Sequence, residues 1–493
     1  MFNANWLSQR KPVKIFLVAS LALLLTVITP TGCFAVPAAR EAILIPAQLH
    51  GKWGFLNLQG EEVVPFLYDE VSYFHDGLAR VQLDKKFGFI DQKGGQIIPL
   101  KYDDATFFKE GFTIVKSGEK YGFMDNKGNQ VTPLKYDYAI EFFEGLASVG
   151  IANKYGYIDK QGDQIIPLQY DFAGIFREGL ADIILDGKHG YIDQKGNQLI
   201  PPQYDDTYGF WEGVAIVIKD GKSGCVDKQG QEIIPLKYDL AVITNGIVRV
   251  CLDGKWGFID KTGKSITPLQ YNYVDVFQDG MAAVMIAKAG YIDKTGRKIT
   301  PLQYDVFSLF NKGLAIVGMN EKLGYIDKKG RQIIPLQYDD ARDFDGGVAA
   351  VKRDGKWGYI DQKGKQIIPF AYDDIGYFSE GAAIVMLDGK FGYIDQKGKQ
   401  IVAPKYDFAF HFYAGLGVVE VAKKYGYIDK TGQTVIEPQF EDATSFSKAT
   451  GLASVKINGK YGAIDQKGNL LIPAIYDSLI LPEFSYLAPA IFF

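Results

Sequence analysis

Paired carboxylates recur along the chain and are the first residues that could do chemistry. They stand at Asp103-Asp104, Asp205-Asp206, Asp339-Asp340 and Asp373-Asp374. A glycosidase uses two carboxylates at a defined separation. However, the first Asp of each pair recurs at the same place in a repeated motif, and a residue that serves every copy does not mark one unique active site. We therefore predict that these aspartates cap turns and that the chain is not an enzyme.

Motifs for metal, nucleotide or nucleophile chemistry are not found in the sequence. The four histidines, His50, His75, His189 and His411, lie far apart without His-x-x-x-His spacing. The Asp-x-x-Gly turns lack the alternating acidic ligands of an EF-hand loop. Neither a Gly-x-Ser-x-Gly elbow nor a Gly-x-x-x-x-Gly-Lys-Ser/Thr loop occurs. We predict no catalytic site, no metal and no cofactor.

One turn position varies between polar and aromatic residues and is the best candidate for contact with a ligand or partner. Most copies of the repeat carry a polar residue there, such as Lys109, Arg177, Gln278, Asn311 and Ser379. Other copies carry Trp211, Phe143, Tyr413 or His75. Aromatic residues beside acidic groups could stack on sugar rings or anchor a peptide. Ordinary packing between repeats is the alternative, and we favour it because single exposed aromatics are common.

These positions belong to a motif that returns thirteen times. Its clearest copy runs from Lys356 to Pro369 and on to Tyr372-Asp373. The motif glycine falls at Gly54, Gly88, Gly122, Gly156, Gly190, Gly224, Gly257, Gly290, Gly324, Gly358, Gly392, Gly426 and Gly462. The spacing is 34 in nine of the twelve steps. A fixed period of this size indicates a repeat architecture.

Each unit reads as three short strands. Residues 146–149 alternate in the period-2 manner of a half-buried strand, and residues 155–158 form the second strand. Asp-Gly-Lys turns between these strands, as at residues 354–356, indicate a hairpin. Residues 164–166 form the third strand, which we expect to stop at Pro167 because proline lacks the ladder N–H. The motif glycine is expected to let a neighbouring backbone or aromatic ring lie across the strand.

The pattern aromatic-Gly-aromatic-Ile-Asp-x-x-Gly-x-x-Ile-Ile-Pro-x-x-Tyr-Asp resembles the WG-repeat, or KWG-repeat, family of bacterial β proteins. The resemblance extends over nearly the whole chain after residue 46. It departs from the pattern at His189, Ser223, Ala289, Leu323, Asn57 and Phe440-Glu441. It implies an all-β repeat fold and brings no common catalytic chemistry.

Two arrangements of the thirteen units are open. Propellers usually have four to eight blades, so thirteen units would need two of them. One or two propeller-like rings are the alternative to an open stack. Both ends of the chain also read as the same kind of strand, at residues 42–45 and 484–490. We therefore expect an open, twisted superhelix, a β solenoid whose last edge Pro489 would protect from further pairing.

The first 35 residues lie outside the repeat and read as a secretory signal. Arg10, Lys11 and Lys14 precede a 14-residue apolar run at 15–28, short of the roughly 20 residues of a spanning helix. We predict cleavage after Ala35, an uncleaved anchor being the alternative. We assign residues 36–46 to a lead-in and first cap strand, 47–477 to thirteen repeats, and 478–493 to a partial repeat.

Three cysteines bear on the compartment. Gly32-Cys33 partly resembles the end of a lipoprotein signal, so Cys33 is a candidate for lipidation. Cys225 and Cys251 could form a disulfide in an oxidising compartment. We favour two unpaired small hydrophobic residues.

The charge balance argues against nucleic acid as a partner. The chain has 54 Lys+Arg and 58 Asp+Glu, a net charge of −4, without a basic cluster. We expect a secreted or envelope-associated scaffold that binds protein partners. The alternative is a glycan- or cell-wall-binding protein that uses the exposed aromatics, and a hydrolase ranks third. A membrane contact would require a lipidated Cys33 or an uncleaved signal.

Overall fold

The computed structural model describes residues 43–482, and every regular element in that range is a β-strand. Fifty strands form thirteen separate antiparallel sheets, one for each repeat. No helix within residues 43–482 is long and apolar enough to cross a membrane. The proposed signal, Cys33 and the segment 484–490 lie outside the described residues.

The strands are, in chain order, β1 (Ile45–Leu49), β2 (Lys52–Leu56), β3 (Glu62–Tyr68), β4 (Glu70–Val71), β5 (Leu78–Leu83), β6 (Lys86–Asp91), β7 (Gln96–Tyr102), β8 (Asp104–Ala105), β9 (Phe112–Ser117), β10 (Lys120–Asp125), β11 (Tyr138–Ala139), β12 (Leu146–Ile151), β13 (Lys154–Asp159), β14 (Gln164–Tyr170), β15 (Phe172–Ala173), β16 (Leu180–Leu185), β17 (Lys188–Asp193) and β18 (Gln198–Tyr204). They continue with β19 (Asp206–Trp211), β20 (Val214–Lys219), β21 (Lys222–Asp227), β22 (Glu232–Tyr238), β23 (Leu240–Thr244), β24 (Ile247–Leu252), β25 (Lys255–Asp260), β26 (Ser265–Tyr271), β27 (Tyr273–Val274), β28 (Met281–Met285), β29 (Ala289–Asp293), β30 (Val306–Phe307), β31 (Leu314–Met319), β32 (Lys322–Asp327), β33 (Gln332–Tyr338) and β34 (Asp340–Ala341). The last are β35 (Val348–Arg353), β36 (Lys356–Asp361), β37 (Gln366–Tyr372), β38 (Asp374–Ser379), β39 (Ala382–Leu387), β40 (Lys390–Asp395), β41 (Gln400–Tyr406), β42 (Phe408–Ala409), β43 (Leu416–Val421), β44 (Lys424–Asp429), β45 (Thr434–Phe440), β46 (Asp442–Ala443), β47 (Ala453–Ile457), β48 (Lys460–Ile464), β49 (Leu470–Tyr476) and β50 (Ser478–Leu479).

The three predicted strands of the unit are confirmed, but the third is longer than expected. Strand β14 continues through Pro167 to Tyr170. Strand β14 lies at the edge of the sheet β11–β14 and has no neighbouring strand on its outer side. The missing N–H of Pro167 therefore interrupts no hydrogen bonding there. A register shift between Tyr157 and Ile158 accommodates the extra length. The expectation that Pro167 ends the strand was therefore wrong.

Most sheets also contain a fourth, short strand that the sequence did not predict. It comes from the connector after Tyr-Asp, as in β15, and pairs with the first strand of the following unit. Eleven of the thirteen sheets have four strands. The sheets β8–β10 and β27–β29 have three, because the segments after β10 and β29 pair only through isolated bridges. In those segments Thr132 and Thr300 accept backbone N–H groups through their hydroxyl oxygens.

The motif glycine has the predicted role. In β13 a Cβ on Gly156 would lie 2.4 Å from the carbonyl oxygen of Ile166 and 2.5 Å from that of Pro167. Both contacts are shorter than any side chain permits, so the third strand crosses the second directly over this glycine. The expected close approach of a neighbouring backbone is confirmed.

Pairs of aromatic residues fill the interfaces between neighbouring sheets. Tyr157 of β13 packs on Phe176 of the next unit with ring centroids 4.8 Å apart, and its hydroxyl donates to the carbonyl of Gly174. The same ring pair recurs at 191/210, 291/310, 325/344, 393/412 and 427/446. Each sheet therefore completes its core with its neighbour, as in other repeat proteins.

The two ends of the described chain meet in one sheet, with strand order β3-β2-β1-β50. Ala47 pairs with Leu479 and Gln48 with Ser478. The first strand begins at Ile45 and lacks a connector strand of its own, and β50 supplies it. The ends are therefore complementary, and the expected open superhelix was wrong. The pairing supports the alternative, a propeller-like ring, so the β-solenoid expectation is corrected as well.

Contacts within the chain define two compact units. One comprises residues 273–370 and holds the sheets that begin at β27, β30 and β34. The other comprises residues 43–272 with 371–482 and holds the remaining ten sheets, including the sheet shared by both ends.

Both described cysteines are free and buried. Burial raises the pKa of Cys225 to about 12 and also raises the pKa of Cys251. Cys225 stands in the core cluster of its sheet in place of the usual aromatic. The favoured prediction of two unpaired hydrophobic residues agrees with this packing.

Candidate functional site

The predicted contact residues stand just before a two-residue hairpin turn. Phe143 pairs with Leu146 across the turn Glu144-Gly145. Glu144 has φ 51° and Gly145 φ 87°, and two positive values in succession identify a type I′ turn. The turn residues are acidic in most repeats, which produces the Glu-Gly pairs of the sequence.

Four turn glutamates bind the turn of the following repeat. The Glu110 carboxylate accepts the N–H groups of Glu144 and Gly145 at 3.0 and 3.1 Å. The same contact runs from Glu144 to residues 178 and 179, from Glu178 to 212 and 213, and from Glu380 to 414 and 415. We call these contacts the turn ladder. These contacts connect consecutive sheets, so the role of the four glutamates is structural.

Lysines lower the pKa of three of the four ladder glutamates. Burial alone would raise the pKa of Glu178, but the ammonium of Lys228 at 3.2 Å and the N–H groups of Gly213 and Glu212 outweigh it and lower the pKa. Lys160 and Lys430 act in the same way on Glu110 and Glu380.

The paired aspartates cap turns, as predicted. Asp205 pairs with Lys188, and its second carboxylate oxygen accepts the N–H of Asp220 at 2.6 Å. Asp206 accepts the N–H of Thr207. The hydrogen bond from Lys188 lowers the pKa of Asp205. Within residues 43–482 no group of three or more His, Cys, Asp or Glu side chains could hold a metal ion.

The structure does not bring the four predicted contact residues together. Trp211, Phe143, Tyr413 and His75 precede the first strands of four different sheets. The Trp211 side chain is 49% exposed. Phe143 and Tyr413 are partly buried, and His75 is exposed.

Cations from other repeats cover three of these aromatic rings. The Lys109 ammonium lies 5.0 Å from the Phe143 centroid, and the Arg177 guanidinium lies 5.3 Å from the Trp211 centroid. Both pairs join the same position in consecutive repeats. Lys448 covers Tyr413 at 4.3 Å. The Phe143 and Tyr413 rings are therefore engaged in packing between repeats, which is the favoured alternative to ligand contact.

Trp211 differs because it lies on an unusually long connector strand. Most connector strands have two residues, whereas β19 has six. Gly209 follows Tyr208 there, and the Tyr208 side chain is 56% exposed. Two large aromatic residues are thus presented to solvent on one strand.

A cavity of about 210 Å³ lies beside this strand, between the sheets β15–β18 and β19–β22. Its lining residues are Ile175, Arg177, Leu180, Asp182, Tyr191, Gly209 and Phe210. Ile175, Leu180 and Phe210 form the apolar part of the wall. A Cβ on Gly209 would meet nothing within 4 Å, so the wall is open at that residue.

Asp182 is the unusual group in this cavity. Burial raises its pKa, and the Asp206 carboxylate raises it further, whereas His189 lowers it. Gly174 makes room for it, because a Cβ there would lie 2.0 Å from Asp182 Oδ1. Two nearby polar atoms, His189 Nδ1 and Thr207 Oγ1, are buried without a hydrogen-bond partner in the described part of the chain.

Sequence reasoning named Trp211 and noted Arg177 but missed Asp182. A signal was present: most repeats carry an apolar or small residue at this strand position, as in Ile114, Ser148 and Ile216. A carboxylate in a half-buried strand position destabilises the fold unless it has a partner. An aspartate at this position therefore stands out from the other repeats.

The comparisons with known proteins agree with the fold. The WG containing repeat family matches residues 53–87, 87–121, 121–155, 155–188, 190–222, 224–256, 256–287, 290–322, 324–357, 357–391, 391–425, 425–461 and 461–482. The chain belongs to this family of β-repeat proteins. No curated protein matches the sequence.

Solved structures resemble the chain only weakly. The extracellular domain of a hybrid two-component system from B. thetaiotaomicron is 9% identical, with 86% of this chain and 75% of that chain covered and a TM-score of 0.22. A eukaryotic initiation factor is 8% identical, with coverages of 66% and 96% and a TM-score of 0.30. PorZ, a surface component of the type-IX secretion system of Porphyromonas gingivalis, is 7% identical, with coverages of 84% and 78% and a TM-score of 0.22. TM-scores this low indicate no function.

Proposed function

We propose that this chain is a non-catalytic interaction scaffold that works outside the cytoplasm and binds a protein partner through the surface around Tyr208 and Trp211. The observation that carries the proposal is the exposure of both aromatic side chains on β19. Tryptophan, tyrosine and arginine dominate the binding energy of protein interfaces. Arg177 lies against Trp211 and completes such a group.

The absence of catalysis is part of the proposal. The recurring carboxylates are engaged by lysines and backbone N–H groups, as Asp171 is by Lys154 and Asp186. A carboxylate held in this way already makes contacts that stabilise the fold. We therefore assign the repeated acidic residues to structure.

The test compares capture of envelope proteins by the wild type and by Trp211→Ser, which introduces the residue found at the equivalent Ser379. Phe410→Thr is the matched control, because Phe410 is a similarly exposed aromatic on another sheet and Thr444 stands at its equivalent position. We expect Trp211→Ser to lose the partner and Phe410→Thr to keep it. Capture that is unchanged by Trp211→Ser contradicts the proposal.

Binding to purified cell-wall polymer distinguishes the alternative. Polymer binding that depends on Trp211, without a protein partner, would favour a glycan-binding protein. The intact mass of the exported protein tests the location, because it reports the cleavage site and a lipid on Cys33 together. A cytosolic protein that retains residues 1–35 would contradict the proposed location.

A further inference from the structure

Two opposite charges face the cavity between the sheets β15–β18 and β19–β22 without neutralising each other. Neither the Arg177 guanidinium nor the Asp182 carboxylate has an ion-pair partner within 4.0 Å among residues 43–482. The other acidic residues nearby behave differently. Asp171 pairs with Lys154 and Asp205 with Lys188.

Asp182 is half-buried, so its unpaired carboxylate is costly, whereas Arg177 is exposed and keeps its hydration. The cost is relieved when a ligand supplies the opposite charge. A ligand with one charge would engage only one of these two lining groups. A ligand with both charges satisfies Arg177 and Asp182 at once.

We propose that this cavity binds a small zwitterion of the free α-amino acid class, with the ligand carboxylate on Arg177 and the ligand ammonium on Asp182. Ile175, Leu180 and Phe210 provide the apolar wall for its side chain. Gly209 leaves the entrance open. Burial raises the pKa of Asp182, and a bound ammonium would counteract that rise.

The size of the cavity limits the ligand. Its volume of 210 Å³ is below the roughly 300–1,000 Å³ of pockets for drug-sized molecules. An oligosaccharide or a peptide is too large to enter whole.

The inference goes beyond the proposed scaffold function, because the cavity needs no protein partner, although Arg177 contributes to both surfaces. Isothermal titration calorimetry on the purified protein tests it with L-alanine and L-leucine as probes. Propionate and ethylamine each carry one of the two charges, and glucose carries neither. We expect saturable binding of an amino acid at least tenfold tighter than that of either singly charged probe.

Two substitutions use residues that the chain carries at equivalent positions. Asp182→Ser introduces the residue of Ser148, and Arg177→Gln that of Gln278. We expect each to weaken amino acid binding at least tenfold. Lys109→Gln, at the position equivalent to Arg177, is the control and should leave binding unchanged. Arg177 stands at a surface turn, so its variant keeps the test valid if Asp182→Ser fails to fold.

The proposal is overturned if neither amino acid binds at millimolar concentration. Equal affinity for propionate or ethylamine, binding of glucose alone, or full retention of affinity in Arg177→Gln would also overturn it.

Discussion

Two glycines of one hairpin are required for opposite reasons. Gly358, the motif glycine, has an ordinary φ, but a Cβ there would lie 2.6 Å from the carbonyl oxygen of Ile368. Gly355, in the turn, has φ +78° and open space around it. Crowding therefore selects the first glycine, whereas backbone conformation selects the second.

Substitutions separate these two causes. Gly358→Ala should destabilise the protein by about 1–3 kcal/mol, because the overlap is with backbone that must shift. Gly355→Asn should change stability by about 0.5 kcal/mol or less, since asparagine tolerates positive φ. Thermal and denaturant unfolding measure both. Equal losses in the two variants would contradict the crowding explanation.

The buried tyrosine hydroxyls support a second prediction. The Tyr427 hydroxyl donates to the carbonyl of Thr444 at 2.9 Å. Tyr427→Phe should cost about 1 kcal/mol in the free energy of unfolding, because it leaves that carbonyl without this donor. Tyr413→Phe is the control, since its hydroxyl makes no hydrogen bond within the described range and should cost little. An unfolding free energy equally unchanged in both variants would contradict the prediction.

At the residue scale, the sequence predicted what every repeat shares. The motif glycines and the turn aspartates follow from local geometry that one copy displays. The position of Asp182 in the wall of an open cavity could not be predicted. Gly174 leaves room for its side chain, and Gly209 of the following sheet leaves the cavity open. The repeat pattern predicts only what all copies share. It does not predict contacts between neighbouring units that involve variable positions.

At the element scale, one aspartate joins two consecutive hairpins. Asp171 binds Lys154 of the preceding second strand and accepts the N–H of Asp186 in the following turn. Ten sheets use this arrangement of lysine, aspartate and turn N–H, with the aspartate at 69, 103, 137, 171, 205, 239, 305, 339, 407 and 477. Single exposed ion pairs stabilise little, but the repetition makes the contribution cumulative.

The same aspartates predict a dependence of stability on pH. The hydrogen bond from lysine lowers the pKa of each below its ordinary value of 3.8. The unfolded chain therefore binds more protons between the folded pKa and 3.8, so this stabilisation is present above pH 3.8 and lost as the pH falls through the folded pKa. Unfolding followed at several pH values should show the loss. Asp171→Asn should reduce the dependence, and an unchanged pH profile would contradict the argument.

The turn ladder gives a local prediction. Glu144→Ala removes the acceptor of the N–H groups of Glu178 and Gly179, at 2.7 and 2.8 Å. We expect a loss of about 1 kcal/mol, as for a helix cap of similar chemistry, and faster hydrogen exchange at residues 178 and 179. Glu119→Ala, in an exposed turn, is the control. Unchanged exchange at those two amides would show that the ladder does not hold the turn.

Element boundaries were predicted less well than element identity. The hairpin of each unit was evident from its turn residues. Pro167 misled the prediction of β14, because the effect of proline depends on whether its strand lies at an edge. The connector strands were missed since two residues such as Phe172 and Ala173 form a strand only when the next unit offers a partner.

At the scale of the molecule, the ends are joined by the contacts that join neighbouring repeats. Asp477 pairs with Lys460 and accepts the N–H of Gly51 at 2.9 Å, across 426 residues of sequence. Leu479 enters a buried cluster with Ile45 and Ala47. Joining the ends in this way leaves neither terminal sheet incomplete. The sequence could not reveal it, because the strand that completes the first sheet lies at the opposite end of the chain.

Leu479→Asp tests this closure. It places a charge among buried apolar residues of both ends, so the contact between β50 and β1 should open. Hydrogen exchange at residues 45–56 should then accelerate at least tenfold, or about 1.4 kcal/mol, although those residues lie more than 400 positions away in the sequence. Leu470→Asp is the matched control, because Leu470 lies close to the same end but is exposed, and it should leave residues 45–56 unaffected. In an open array the Leu479→Asp damage would stop within the last repeats. Acceleration confined to residues 447–482 would therefore exclude closure through β1 and β50.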